Sequence, residues 1–165
     1  MIDFKAISET IKDGLYNWLK GKGYECPVVM ANQTLPIPDY PYISYTVTST
    51  AVTNGGTFSI ASDYTRFKPM TQIWSFTVQS DDDKATTDIA LLAYDWFSLV
   101  SNTYLSDNGI VVQRVGNITN RDNLLTIEYE YRQGFDVEFS LLHTISAEDS
   151  DTAGTIETFD FNKEV

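Results

Sequence analysis

Acidic side chains are the first candidates for chemistry in this sequence. Glu128, Glu130, Asp136 and Glu138 fall at even positions of an alternating segment, so they share one face of a strand. Paired carboxylates are what glycoside hydrolysis requires. On the polar face of a strand, however, charged side chains ordinarily just meet water, and solvated acids are the expectation. Asp81-Asp82-Asp83 has the charge to hold a divalent cation, but lacks the spaced ligands and bidentate glutamate of a calcium loop. Placed before an apolar-periodic run, the cluster suits a helix N-terminus instead. Asp81 and Asp83 are therefore expected to be structural.

The remaining reactive residues give no more. His143 is the single histidine, and it has no nucleophile elbow of the Gly-x-Ser-x-Gly kind to serve. Cys26 stands alone beside Pro27 on an apolar run. It reads as a small buried hydrophobe, and one cysteine makes neither an internal disulfide nor a thiolate metal site. Asn54-Gly55-Gly56 is a turn, not a phosphate-binding glycine motif. Asn117-Ile118-Thr119 matches a glycosylation acceptor by chance. The expectation is a protein without a catalytic, cofactor or metal site, and not an enzyme.

The elements that would position these residues emerge from composition and periodicity. A chain of 165 residues, 42% hydrophobic and 13% aromatic, is long enough for one domain with its own core. Eleven Lys and Arg against twenty-three acids leave a net charge of −12, which disfavours tight binding to nucleic acid or to an anionic membrane. The opening residues carry no signal-peptide pattern, and no apolar run approaches membrane-spanning length. Folding in a cytoplasm is the expectation.

Phe4, Ile7, Ile11, Leu15, Trp18 and Leu19 predict an amphipathic helix, capped by Asp3 and closed by Lys20 and the glycines at 21 and 23. A short apolar run, Cys26 to Met30, precedes Pro36, Pro38 and Pro41, which enforce an extended connection. Tyr42 to Thr50 alternates as a half-buried strand, and Gln72 to Ser80 is a second, with Trp74, Phe76 and Val78 on one face. The second helix should carry Ala85, Ile89, Leu92, Trp96 and Leu99 on its buried stripe and end near Asn102. Ile110 to Val115 is the third strand.

The last alternating stretch runs from Leu125 to Ile145. As one strand it would span roughly 65–70 Å, long for a compact domain. Gly134 offers a three-residue hairpin loop or a bulge in a single strand, and spacing does not choose between them. Beyond Ser146 the composition turns acidic, yet Ile156, Phe159 and Phe161 interrupt it. Phe58, Tyr64 and Phe67 likewise lie in a polar excursion, residues 53–69. A monomer has little use for aromatic groups in such places. These five, Phe58, Tyr64, Phe67, Phe159 and Phe161, either tuck onto the domain's own core or are the candidate contacts to other chains.

Val115-Gly-Asn-Ile-Thr-Asn-Arg-Asp122, then Glu128-Tyr-Glu-Tyr-Arg-Gln-Gly-Phe-Asp-Val-Glu-Phe139, resembles the tail-terminator and neck proteins of tailed bacteriophages. Trp74 to Ser80 with Asp81 to Asp83, Ala93-Tyr-Asp-Trp-Phe97 and Tyr40-Pro-Tyr-Ile-Ser-Tyr45 are similar to the same family. The resemblance covers residues 40–143 and implies a long, bent final strand, which favours the bulge. It implies a structural virion protein at the tail–neck junction, made in the bacterial cytoplasm. It also implies a ring, usually of six subunits, that caps the tail tube and joins it to the head–neck connector. The partners would be sister copies, the major tail tube protein and the connector, with DNA passing through the lumen unbound and no membrane involved. The alternatives are a head-completion or minor tail protein, a small acidic enzyme, or a monomeric adaptor. The expected fold is α+β: residues 1–145 form a mixed, mostly antiparallel sheet packed against two helices, with an extended arm, and residues 146–165 form an acidic tail or arm.

Overall fold

The computed structural model describes residues 2–31, 36–52, 58–63, 65–124 and 129–146. Helix α1, Phe4–Gly21, begins where the Asp3 carboxylate accepts the Ala6 N–H at 3.1 Å. It buries Ile11, Leu15 and Leu19 at helical spacing and stops at Gly23, whose φ of +92° suits a residue without Cβ. Gly14 is a packing position on this helix. A Cβ there would lie 2.6 Å from the Tyr104 ring and 2.7 Å from that of Trp96, so its absence lets two aromatic side chains approach the helix.

The strands are β1 (Val28–Met30), β2 (Tyr42–Val52), β3 (Ser59–Ile60), β4 (Arg66–Ser80), β5 (Ile110–Val115), β6 (Thr119–Asn120), β7 (Asn123–Leu124) and β8 (Tyr129–Ile145). The main sheet runs β1-β2-β4-β8-β5. β1 is parallel to β2 and the other pairings are antiparallel, so the fold is α+β as expected. Trp74, Phe76 and Val78 of β4 face the helices beside Phe135, Val137, Phe139 and Leu141 of β8. Ser75, Thr77, Asp136 and Glu138 take the opposite face, by the two-residue period of a strand.

Three expectations are corrected. The second strand starts at Arg66 rather than Gln72, and β3 pairs with its first residues, Ser59 opposite Phe67. Residues 59–60 and 66–69 of the supposedly irregular excursion are therefore sheet. Pro69 is tolerated because it falls between the end of β2, paired at Thr71, and β3, paired at Phe67. On that side it interrupts no ladder among the described residues.

Gly134 is neither a hairpin turn nor a bulge. β4 and β8 pair without a register shift from Arg66↔Ile145 to Ser80↔Tyr131, with Gly134 opposite Thr77. The irregularities lie elsewhere, in β2 near Ser49 and between Val112 and Arg114 of β5. What Gly134 supplies is space, since the Arg121 guanidinium crosses directly over it.

The second helix is also segmented. α2, Asp83–Asp95, passes into a π turn, Trp96–Val100, succeeded by α3, Asn102–Asp107. The π turn inserts an extra residue and rotates the downstream side chains about the helix axis. Phe97 is thereby buried, while Leu99, predicted for the core, is 74% exposed. At the N-terminus Asp82 is the cap, accepting the Lys84 N–H at 3.0 Å. Asp83 lies in the first turn and Asp81 accepts from the Ser80 hydroxyl.

Candidate binding surfaces

The carboxylates singled out by spacing do not converge. Glu138 pairs with Arg114 at 3.4 Å and Asp136 with Arg121 at 3.2 Å. Glu130, 4% exposed at its side chain, is held by Arg132, whose Nε donates at 2.7 Å, and by the Tyr40 hydroxyl at 2.8 Å. Glu128 lies outside the described residues. Each acid that is described meets its own arginine, which disperses the negative charge along the sheet instead of focusing it in a cleft. Among the described residues no three His, Cys, Asp or Glu side chains come together as a metal site. Cys26 is buried, and burial pushes its thiol up to about 12, the condition of an unreactive packing residue.

Arg121 fastens the strand-poor segment between β5 and β8 to the open sheet face. Its Nη1 donates to Ser75 Oγ at 2.8 Å and to Thr77 Oγ1 at 3.0 Å. Its backbone N–H donates to the Arg132 carbonyl. Sequence spacing gives no hint of this residue, because its partners lie on two other strands.

At one end of the sheet the Tyr40 ring stacks on Tyr42. The Tyr40 phenol is pushed up to about 12, first by partial burial, then by its hydrogen bond to Glu130 and by that carboxylate's charge. Tyr42 moves the same way, from burial and from Glu130. A raised folded value means the proton is held more tightly than in the unfolded chain. The contribution is thus complete below the ordinary phenol value near 10 and is lost as pH rises through about 12. Ultraviolet titration of the native protein should show late-ionising tyrosine, and Glu130→Gln should bring part of it back toward normal. Uniform ionisation of every tyrosine at the ordinary value would refute the coupling.

The opposite end of the β4–β8 ladder carries the surplus apolar groups. Phe58 is 57% exposed, Leu142 58% exposed, and Ile60 and Ile145 are also on the surface. Phe67 is half-buried. The structure thus brings the predicted Phe58 and Phe67 together with Ile145 around one cleft, with Ile60 opposite Arg66 beside it, while Leu142 falls on the other face of the sheet by the two-residue period. Tyr64, Phe159 and Phe161 lie outside the described residues. A second exposed set, Leu91, Leu99, Val100 and Tyr104, lies on the helical layer. The outer strands of the sheet, β1 and β5, each have one partner in it.

A chain whose sheet acids Glu130, Asp136 and Glu138 are each paired with an arginine, and which exposes several large apolar side chains at one end of its sheet and on its helical layer, has surface suited to binding other proteins. The sequence pattern of the phage neck terminator protein family matches residues 9–165. The chain belongs to that family, and is a structural protein of the phage tail and neck. No curated protein matches it. No helix among the described residues is long and apolar enough to cross a membrane.

Proposed function

We propose that the protein closes into a ring, of six copies, that caps the tail tube, ends its polymerisation and joins the tail to the head–neck connector. The observation that carries this reading is the exposed apolar end of the β3–β4–β8 ladder, where Phe58, Ile60 and Ile145 lie on the surface of a single copy. Copies meeting head to tail close into a ring when the rotation between them permits, and strand edges are suitable material for such contacts. One face of the ring would bind the last tube ring. The opposite face would lack the surface that adds another and would accept the neck, so growth stops there. A net charge of −12 suits a lumen that DNA traverses without adhering.

The test is genetic. A phage lacking this gene should produce overlong or headless tails in electron micrographs. The wild-type gene supplied in trans should restore normal tails, whereas Phe58→Ser/Ile60→Ser, folded by circular dichroism, should restore at most about a tenth of the infectious particles. Normal particles from the deletion phage, or full rescue by the double variant, would defeat the proposal.

A further inference from the structure

The exposed end of the sheet contains a cleft whose charge is opposite to that of the chain. Its walls are Phe58, Arg66, Phe67, Lys68, His143 and Ile145, around about 240 Å³. Its lining includes no acid, in a protein with twice as many acids as bases. Arg66 lies over the Phe58 ring at 5.9 Å. Neither Arg66 nor Lys68 has an ion-pair partner among the described residues. His143 keeps a buried Nδ1 with no hydrogen-bond partner among them. The site thus combines aromatic walls, two unpaired cations and an unsatisfied buried nitrogen.

The complementary chemistry is tethered to the cleft itself. β8 ends at Ile145, on the wall. The segment beyond it, residues 147–165, carries Glu148, Asp149, Asp151, Glu157, Asp160 and Glu164 against Lys163 alone, with Ile156, Phe159 and Phe161 among them. We propose that this cleft is the docking site for the chain's own acidic segment. Phe159 and Phe161 would seat against Phe58, Phe67 and Ile145, and Glu157 and Asp160 would lie against Arg66 and Lys68. In an extended Phe159-Asp160-Phe161 the two rings point one way and the carboxylate the other, so apolar and charged walls are met together.

Reach and concentration favour the same chain over a sister copy. The fourteen residues from Ile145 to Phe159 extend to about 45–50 Å, ample for a return to the wall they leave. A tether of this length holds its end at an effective concentration on the order of millimolar. That exceeds any ordinary concentration of free subunits. The docking applies to the free subunit and does not rest on the ring; in a ring, a neighbouring copy would displace the segment from Phe58 and Ile145 on assembly.

Zero-length carbodiimide cross-linking of the full chain tests it, using an equimolar mixture of ¹⁴N- and ¹⁵N-labelled protein mapped by mass spectrometry. Lys68 should join Glu157 or Asp160 in singly labelled pairs. Phe159→Ser/Phe161→Ser should lower that yield at least tenfold, while the Lys20–Glu25 cross-link, 3.7 Å apart on the surface, stays constant as a control. Absence of any Lys68–tail product beside a normal control overturns the site. Mixed-label pairs overturn the assignment to the same chain, and an unchanged yield in the double variant overturns the role of the two rings. Because the assay reads the free subunit, its failure leaves the genetic test of the ring untouched.

Discussion

Gly134→Ala should cost the fold about 3 kcal/mol, and Gly134→Val should leave little folded protein at 37 °C. Ordinarily, replacing a glycine in a strand interior helps, because glycine weakens strands by its entropy and by offering nothing to pack. Here a Cβ would stand 2.5 Å from the Phe76 carbonyl oxygen, and 2.7 and 2.8 Å from two guanidinium atoms of Arg121. The guanidinium ends a flexible side chain and can withdraw, at the expense of its bonds to Ser75, Thr77 and Asp136. The carbonyl has no such freedom. It belongs to β4, which is paired on both sides at this point, to Tyr45 of β2 and Phe135 of β8. Arg121→Ala should therefore rescue Gly134→Ala only in part, and urea denaturation of the two single variants and the double variant measures how much. A Gly134→Ala protein within 1 kcal/mol of the parent would show that the strands separate easily at this crossing.

The sequence makes most of the elements legible, and the failures share a cause. α1 and β2 are readable because an uninterrupted three-and-four or two-residue period reports a face directly. Beyond Asp95 that logic misplaces Leu99, since it assumes a constant rotation per residue and the π turn breaks it. The start of β4 is hidden by Pro69, which ends a strand only where the ladder needs its N–H. Gly134 looks like a turn or bulge because its true constraint comes from Phe76 and Arg121, remote in sequence and silent in any local pattern. The candidate surfaces are half legible. Phe58 and Phe67 stand out as aromatics in polar sequence. Leu142 does not, although it sits directly after Leu141 and so breaks the alternation of β8.

Phe76→Ala should destabilise the protein by about 4 kcal/mol, in the range for truncating a large core aromatic, and Phe58→Ala by less than about 0.5 kcal/mol. Phe76 is 1% exposed and stands where the central strands of the sheet meet the helical layer. Its ring centroid lies 4.8 Å from Phe97 on the π turn, 6.0 Å from Tyr45 on β2 and 6.2 Å from Phe135 on β8. Truncation leaves a void bordered by rings on separate elements, and none can fill it without abandoning its own contacts. Phe58 carries a ring of the same size, but it is covered by the Arg66 guanidinium at 5.9 Å, and more than half of its surface meets solvent. The pair thus separates residues that make the domain from residues the domain displays. Urea unfolding monitored by tryptophan fluorescence reads both. A loss above about 1.5 kcal/mol on truncating Phe58 would assign that ring to the fold of the single copy. The apolar end of the sheet would then have no claim to be a surface awaiting another chain.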